Sequence, residues 1–174
     1  PKGLALDRSG VTTPGAVSIS FVAAYIPKDK KQYVAYTTRT QTSPITGKSA
    51  VQGTGENNGT FTQVGDGEYE YTFKTKAPAG FDKTATHSIG AYANRNLAEF
   101  DLGVDLDDEV YNFVPNGSPV TQVRDVIKTA TCNKCHQDLR AHGETGRKSL
   151  EMCILCHSPQ TIDPDTENTV DMVV

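Results

Sequence analysis

The sequence predicts a mainly β protein that ends in a small, mostly irregular and short-helical segment, and three observations carry that expectation. Over residues 11–126, short runs rich in Val, Ile, Thr, Tyr and Phe are separated by clusters of Gly, Pro, Asn and Asp, the pattern of half-buried strands between turns. The turn-rich stretch Pro115-Asn116-Gly117-Ser118-Pro119 then ends that pattern. Beyond it, all four cysteines of the chain fall in two C-x-x-C-H strings, Cys132-Asn133-Lys134-Cys135-His136 and Cys153-Ile154-Leu155-Cys156-His157. The expected division is therefore residues 1–117, a β-sandwich or split barrel of about seven strands, and residues 118–174, a second unit built around the two strings.

Within the first unit, Ala16-Val17-Ser18-Ile19-Ser20-Phe21-Val22 reads as a strand stopped by Pro27 and the charged turn Lys28-Asp29-Lys30-Lys31. Residues 32–39, with Tyr33, Val34 and Tyr36, read as its antiparallel partner. Residues 41–59 hold Pro44, Gly47, Gly53, Gly55 and Asn58-Gly59, which predicts a mobile loop with at most a short ordered piece. Residues 61–64 and 68–75 form a hairpin around Gly65-Asp66-Gly67, whose Asp-Gly supplies the positive φ of a tight turn. In its second arm Tyr69, Tyr71 and Phe73 alternate with Glu70, Thr72 and Lys74, so the aromatic face belongs to the core. A strand over residues 84–94 follows, then an acidic turn over 101–109 and a last strand over 110–114.

That acidic run, Asp101, Asp105, Asp107, Asp108 and Glu109, raises calcium as a ligand for clustered carboxylates, but its spacing fits no EF-hand and a solvated loop is the expectation. Gly47-Lys48-Ser49 lacks the upstream glycine of a phosphate-binding loop and reads as a turn. At 174 residues and a net charge of -4, the chain can bury one sizeable core plus an appendage. Its charge argues against a nucleic acid partner. No apolar run approaches a membrane span, so a soluble protein without a transmembrane segment is expected. The chain begins at Pro1 with neither an initiator Met nor an apolar leader, which suggests a mature form or a fragment.

The two C-x-x-C-H strings carry the chemistry. Two cysteines two residues apart can form thioether bonds to one haem, and the histidine that follows is placed to ligate its iron. Two haems c are expected, with Cys132, Cys135 and His136 on the first and Cys153, Cys156 and His157 on the second. The same cysteines also spell a four-cysteine zinc pattern, a structural or interaction module with no redox role, yet that reading leaves both histidines unexplained. Thioredoxin-like chemistry would need a βαβ context that the flanking sequence lacks, and a disulfide within either pair is a further alternative.

Both strings are expected on short helices, one from Thr131 as N-cap to His142 closed by Gly143, the other from Ser149 as N-cap through His157 and stopped by Pro159. The segment has few apolar side chains, so the porphyrins should supply much of its core, and without haem it should be unfolded.

The string Thr131-Cys132-Asn133-Lys134-Cys135-His136-Gln137-Asp138-Leu139-Arg140-Ala141-His142-Gly143, then Arg147, then Leu150-Glu151-Met152-Cys153-Ile154-Leu155-Cys156-His157-Ser158-Pro159, closely resembles the outer-membrane multihaem cytochromes of the OmcA/MtrC decahaem type. The resemblance covers residues 120–174 in motif and residues 1–119 in architecture only. It implies a split-barrel β-domain before a multihaem domain, and electron transfer to extracellular acceptors, through an outer-membrane conduit or other multihaem cytochromes, with no bond-making chemistry. This chain has fewer motifs than the family's haem domains carry. Its apolar ending, Val170-Asp171-Met172-Val173-Val174, looks like the start of a helix, which suggests that the natural protein continues.

Ligation can be argued from the four histidines, since two haems with two imidazoles each would use four. His136 and His157 are proximal by motif. His142 lies six residues beyond His136, about 9 Å along one helix, too close to reach the far face of the same iron. It is assigned to the second haem, against the alternative of a helix-capping histidine bonded to a propionate. His87 sits in the strand region and is the weakest candidate ligand. The sixth ligand of the first haem is expected from beyond Val174 or from another subunit. Met152 and Met172 read as packing residues, and Arg140, Arg147 and Lys148 as propionate partners or solvated charge. Irons carrying two imidazoles are coordinatively saturated, which favours an electron wire over an enzyme. Covalent haem attachment places the protein in the periplasm or on the bacterial cell surface, with the β-domain as a rigid spacer.

Overall fold

The structure, a computed structural model, describes residues 7–170; the expectations for Met172 and for a helix at the end of the chain fall outside them. Eight strands are found among the described residues: β1 (Val17–Tyr25), β2 (Val34–Ala35), β3 (Thr38–Thr42), β4 (Ser49–Gly53), β5 (Thr60–Gly65), β6 (Glu68–Thr72), β7 (His87–Asn96) and β8 (Val104–Phe113). Two helices follow, α1 (Thr129–His136) and α2 (Leu150–Cys156). The chain is mainly β and antiparallel, as the alternation predicts. Its main sheet has the order β2-β1-β7-β8, flanked by the two-stranded sheets β3-β4 and β5-β6.

β1, with β7 one of the two interior strands of that sheet, packs on both faces. On one face Val22 and Ala24 are fully buried, opposite Gly90 and Ser88 of β7. On the other, Phe21 stacks on Tyr71 at 4.4 Å and lies within 6.0 Å of Phe61 and Phe73. The aromatic face predicted for the second hairpin arm thus packs as core against β1, and Gly67 takes the positive φ of 74° that the Asp-Gly turn requires. The buried Glu56 carboxylate secures that hairpin, accepting from Tyr71 Oη (3.1 Å), Lys74 N (2.6 Å) and Thr75 N (2.8 Å).

Two expectations from the sequence are corrected. Residues 41–59 are not a free loop: β4 pairs with β3 from Thr38↔Gly53 to Thr42↔Ser49. Nor is the acidic run a turn, because β8 begins at Val104 and pairs with β7 along its whole length. Asp105, Asp107 and Glu109 point outward, alternating with the buried Leu106 and the half-buried Asp108 and Val110, the period of a strand. The carboxylates are therefore spread along an edge strand, a device that discourages edge-to-edge pairing, and not gathered around a calcium site.

The larger correction concerns α2. Its Met152, Ile154 and Leu155 join Val22, Ala24, Ile26, Tyr33 and Ala35 in one buried cluster. Gly90 makes the fit possible: a Cβ there would lie 2.6 Å from both Leu155 Cδ1 and Met152 Sδ. Burying Met152 and Leu155 stabilises the fold by roughly 1.5–3 kcal/mol per side chain. The second motif thus contributes apolar side chains of its own to the core that the sheet covers. By contrast, α1 buries none of its residues.

Candidate haem site

On α1, Cys132 and Cys135 are one turn apart and share a face, with His136 exposed at the last helical position. The predicted continuation to His142 does not form. Asn133 stops the helix: its carbonyl accepts from Gln137 N (2.9 Å), its side-chain oxygen accepts from Leu139 N (2.8 Å), and Gln137 adopts a φ of 61°. His136 and His142 therefore do not lie on one helix, and the axial separation expected from a shared helix does not apply to them.

α2 starts where the sequence predicts, with Ser149 Oγ accepting from Met152 N at 3.2 Å. Asp108 of β8 anchors this start, its Oδ2 accepting from Lys148 N (2.7 Å) and Ser149 N (3.0 Å). The two motif helices are tied at their first turns through Thr129, whose hydroxyl accepts from Leu150 N (2.9 Å) and donates to Glu151 Oε2 (2.8 Å). All four cysteines are free thiols in the structure. Burial pushes the thiols of Cys153 and Cys156 each up to about 11, so both are protonated at neutral pH in the metal-free chain. Among the described residues, no group of three or more His, Cys, Asp or Glu side chains converges on a metal position.

His157 closes α2, and its Nδ1 lies 3.1 Å from Val170 O. A carbonyl only accepts, so Nδ1 bears the hydrogen and Nε2 is left with the lone pair, the arrangement that orients an imidazole toward a metal. His142 reaches the same place by a different route. Ala141 and Arg147 exchange two backbone hydrogen bonds (3.1 and 3.0 Å), folding the intervening loop back, and His142 takes a φ of 65° at its corner. The rings of His142 and His157 then lie with centroids 5.9 Å apart and planes inclined by 49°. Burial, followed by the charges of Arg147, His157 and Arg39, holds the His142 imidazole below its ordinary value, keeping its lone pair available at neutral pH. Two imidazoles bound through nitrogen at about 2.0–2.1 Å on opposite sides of one metal have centroids roughly 6 Å apart. The centroid separation of the pair is of that size.

The other candidates resolve differently. His87 is 1% exposed, its Nδ1 accepts from the Tyr36 hydroxyl, and its Nε2 donates to Asp82 O at 2.7 Å. With both nitrogens engaged inside a ring of Tyr25, Tyr36, Phe81 and Phe113, it is a structural residue, and neither nitrogen is open to a metal. Arg140 and Lys148 both pair with Asp138, at 2.7 and 3.4 Å, while Arg147 lies over the Tyr92 ring at 3.7 Å. Met152 is buried in the core, as expected of a packing residue. The roles of Asp108, Thr129 and Gly53 escaped the sequence reading: Asp108 lay in what looked like a solvated run, Thr129 acts through a hydroxyl on a residue some twenty positions away, and Gly53 through a close backbone approach; none of these leaves a motif.

A strand-built domain followed by paired C-x-x-C-H helices, the second with a facing histidine, defines a class: the chain resembles the outer-membrane multihaem cytochromes of the OmcA/MtrC type. Residues 124–173 match the family described as outer membrane cytochrome MtrC/MtrF-like, domains II/IV. In fold, the chain is similar to the crystal structure of MtrC from Shewanella baltica OS185, with a TM-score of 0.56 and 23% identity over 84% of this chain. It spans 24% of that protein's length. No curated protein sequence matches the chain. Among the described residues, no helix is long and apolar enough to cross a membrane.

Proposed function

We propose that this chain carries two covalently bound c-type haems and passes electrons outside the cytoplasm. Cys132 and Cys135 would attach the first haem with His136 as a ligand; Cys153 and Cys156 would attach the second, with His157 and His142 on its two sides. The nearness of His142 to His157, with ring centroids 5.9 Å apart, carries the reading, because it sets a second imidazole beside the one that the second motif supplies. When bound, such haems supply one-electron transfer, and two imidazole ligands leave no open position for a substrate. The chain's own residues do the positioning. Val170 O holds the His157 tautomer, the bridge between Ala141 and Arg147 holds His142, and Met152 with Leu155 fixes α2 on the sheet.

The likeness to the MtrC-type family supports a place on the bacterial cell surface, with other multihaem cytochromes or an outer-membrane conduit as donors and extracellular acceptors as the sink. Residues 118–174 form the haem-bearing unit in this reading, and residues 1–117 the support that sets its position. The test is an absorption spectrum before and after dithionite, with intact mass on the same sample. A reduced c-type spectrum and a mass gain of two haems are expected. A colourless protein carrying one zinc, or no metal, would overturn the proposal.

A further inference from the structure

We propose that Tyr92 of β7 is a positioning residue of the second haem site: by seating Arg147 it holds His142 in place as the ligand that joins His157. This rests on the haem reading above. Tyr92 stands opposite Asp108 of β8 in the register, so the two side chains share one face of the sheet. Tyr92 is half-buried there, packed against the core cluster. Each of the two grips the chain shortly after His142. The Arg147 guanidinium lies over the Tyr92 ring at 3.7 Å, and the Asp108 carboxylate accepts from Lys148 N (2.7 Å) and Ser149 N (3.0 Å). One cross-strand pair thus fixes the consecutive residues 147–149.

The grip reaches His142 through the loop's own contacts. Arg147 and Ala141 exchange two backbone hydrogen bonds (3.1 and 3.0 Å), with His142 at the corner of the stretch they close. Arg147 Nη1 donates to Thr145 O (2.7 Å), and the Thr145 hydroxyl donates in turn to His142 O (3.1 Å). Gly146 lets the loop lie close on β8, since an added Cβ there would come within 2.9 Å of Ala141 O and 3.1 Å of Leu106 Cδ1. An arginine keeps its charge at every working pH. A cation over an aromatic face favours the seated loop over the released one by roughly 2- to 30-fold.

The test is carbon monoxide uptake by the reduced, haem-loaded chain in a Cys132→Ala/Cys135→Ala background that keeps only the second haem. Uptake requires an imidazole to leave the iron, so its rate reports how often the loop lets His142 go. Tyr92→Leu and Arg147→Gln are each expected to raise that rate roughly 2- to 30-fold. The double variant should rise no further than the larger single one, because both remove the same contact. Tyr92→Phe, which keeps the ring, should stay near the parent, and with His142→Ala already present Tyr92→Leu should change nothing more. In the haem-free chain, Tyr92→Leu should speed hydrogen exchange at the Ala141 and Arg147 amides and leave that of β1 as it was. An unmoved rate in both single variants, a Phe variant as fast as the Leu one, or a Leu effect that persists without His142 would each overturn the inference. A parent chain that takes up no haem, or uptake that His142→Ala leaves unchanged, would instead sink the haem reading, and this inference with it.

Discussion

His142 and His157, fifteen positions apart in the chain, are neighbours in the fold, with ring centroids 5.9 Å apart and planes inclined by 49°. One is delivered by the corner of a loop and the other by the end of a helix. If they flank one iron, His142→Ala leaves that iron with a single imidazole. In a Cys132→Ala/Cys135→Ala background that keeps only the second haem, the haem-loaded variant should then turn from low-spin to high-spin and bind carbon monoxide. An unchanged low-spin spectrum with no carbon monoxide uptake would mean that His142 is not the ligand.

His87 offers the matching contrast. Replacing it with Ala removes a buried ring and leaves the Tyr36 hydroxyl and the Asp82 carbonyl without their partner. A stability loss on the order of 3 kcal/mol is expected in chemical denaturation, while the haem spectrum stays that of the parent. A spectral change without loss of stability would restore His87 as a ligand.

The docking of α2 makes a claim about the haem-free chain. Leu155 is 0% exposed and Met152 1%, so Leu155→Ala should cost about 2–5 kcal/mol, read from the same transition that unfolds the strands. Hydrogen exchange should find the α2 amides as protected as those of β1 and β7, and the α1 amides far less so, since α1 buries no side chain. An unfolded α2 in the haem-free chain would contradict the packing.

How much of this was legible beforehand follows the range of the interactions. The hairpin around Gly65-Asp66-Gly67 and the α2 cap at Ser149 are local, and the sequence announces both. So are the motif cysteines and histidines, whose spacing is the chemistry. The strand nature of residues 104–109 was hidden because alternate positions carry carboxylates, which an edge strand tolerates and a composition reading takes for a loop. The end of α1 was hidden in one asparagine, Asn133, whose side chain competes for the backbone. The docking of α2 was missed for a different reason. Met152, Ile154 and Leu155 are visible as apolar residues, but their partner surface on β1 and the notch at Gly90 are set by pairings more than sixty residues away.

Finally, the buried thiols set a pH dependence that the haem-free chain should display. Burial raises Cys153 and Cys156 from 9.0 to about 11 in the folded state. Between those values the unfolded chain gives up protons that the folded chain keeps, so raising the pH favours unfolding. The contribution of the two thiols is fully present below pH 9 and is lost as the pH rises toward about 11. Lysines and tyrosines titrate in the same range, so the comparison that isolates the thiols is with Cys153→Ala/Cys156→Ala. Urea midpoints of the parent should fall more steeply over this interval than those of the variant. At pH 8, iodoacetamide should label the exposed Cys135 well before Cys153 and Cys156. Parallel pH profiles and equal labelling rates would show that α2 leaves the sheet often enough to expose its cysteines.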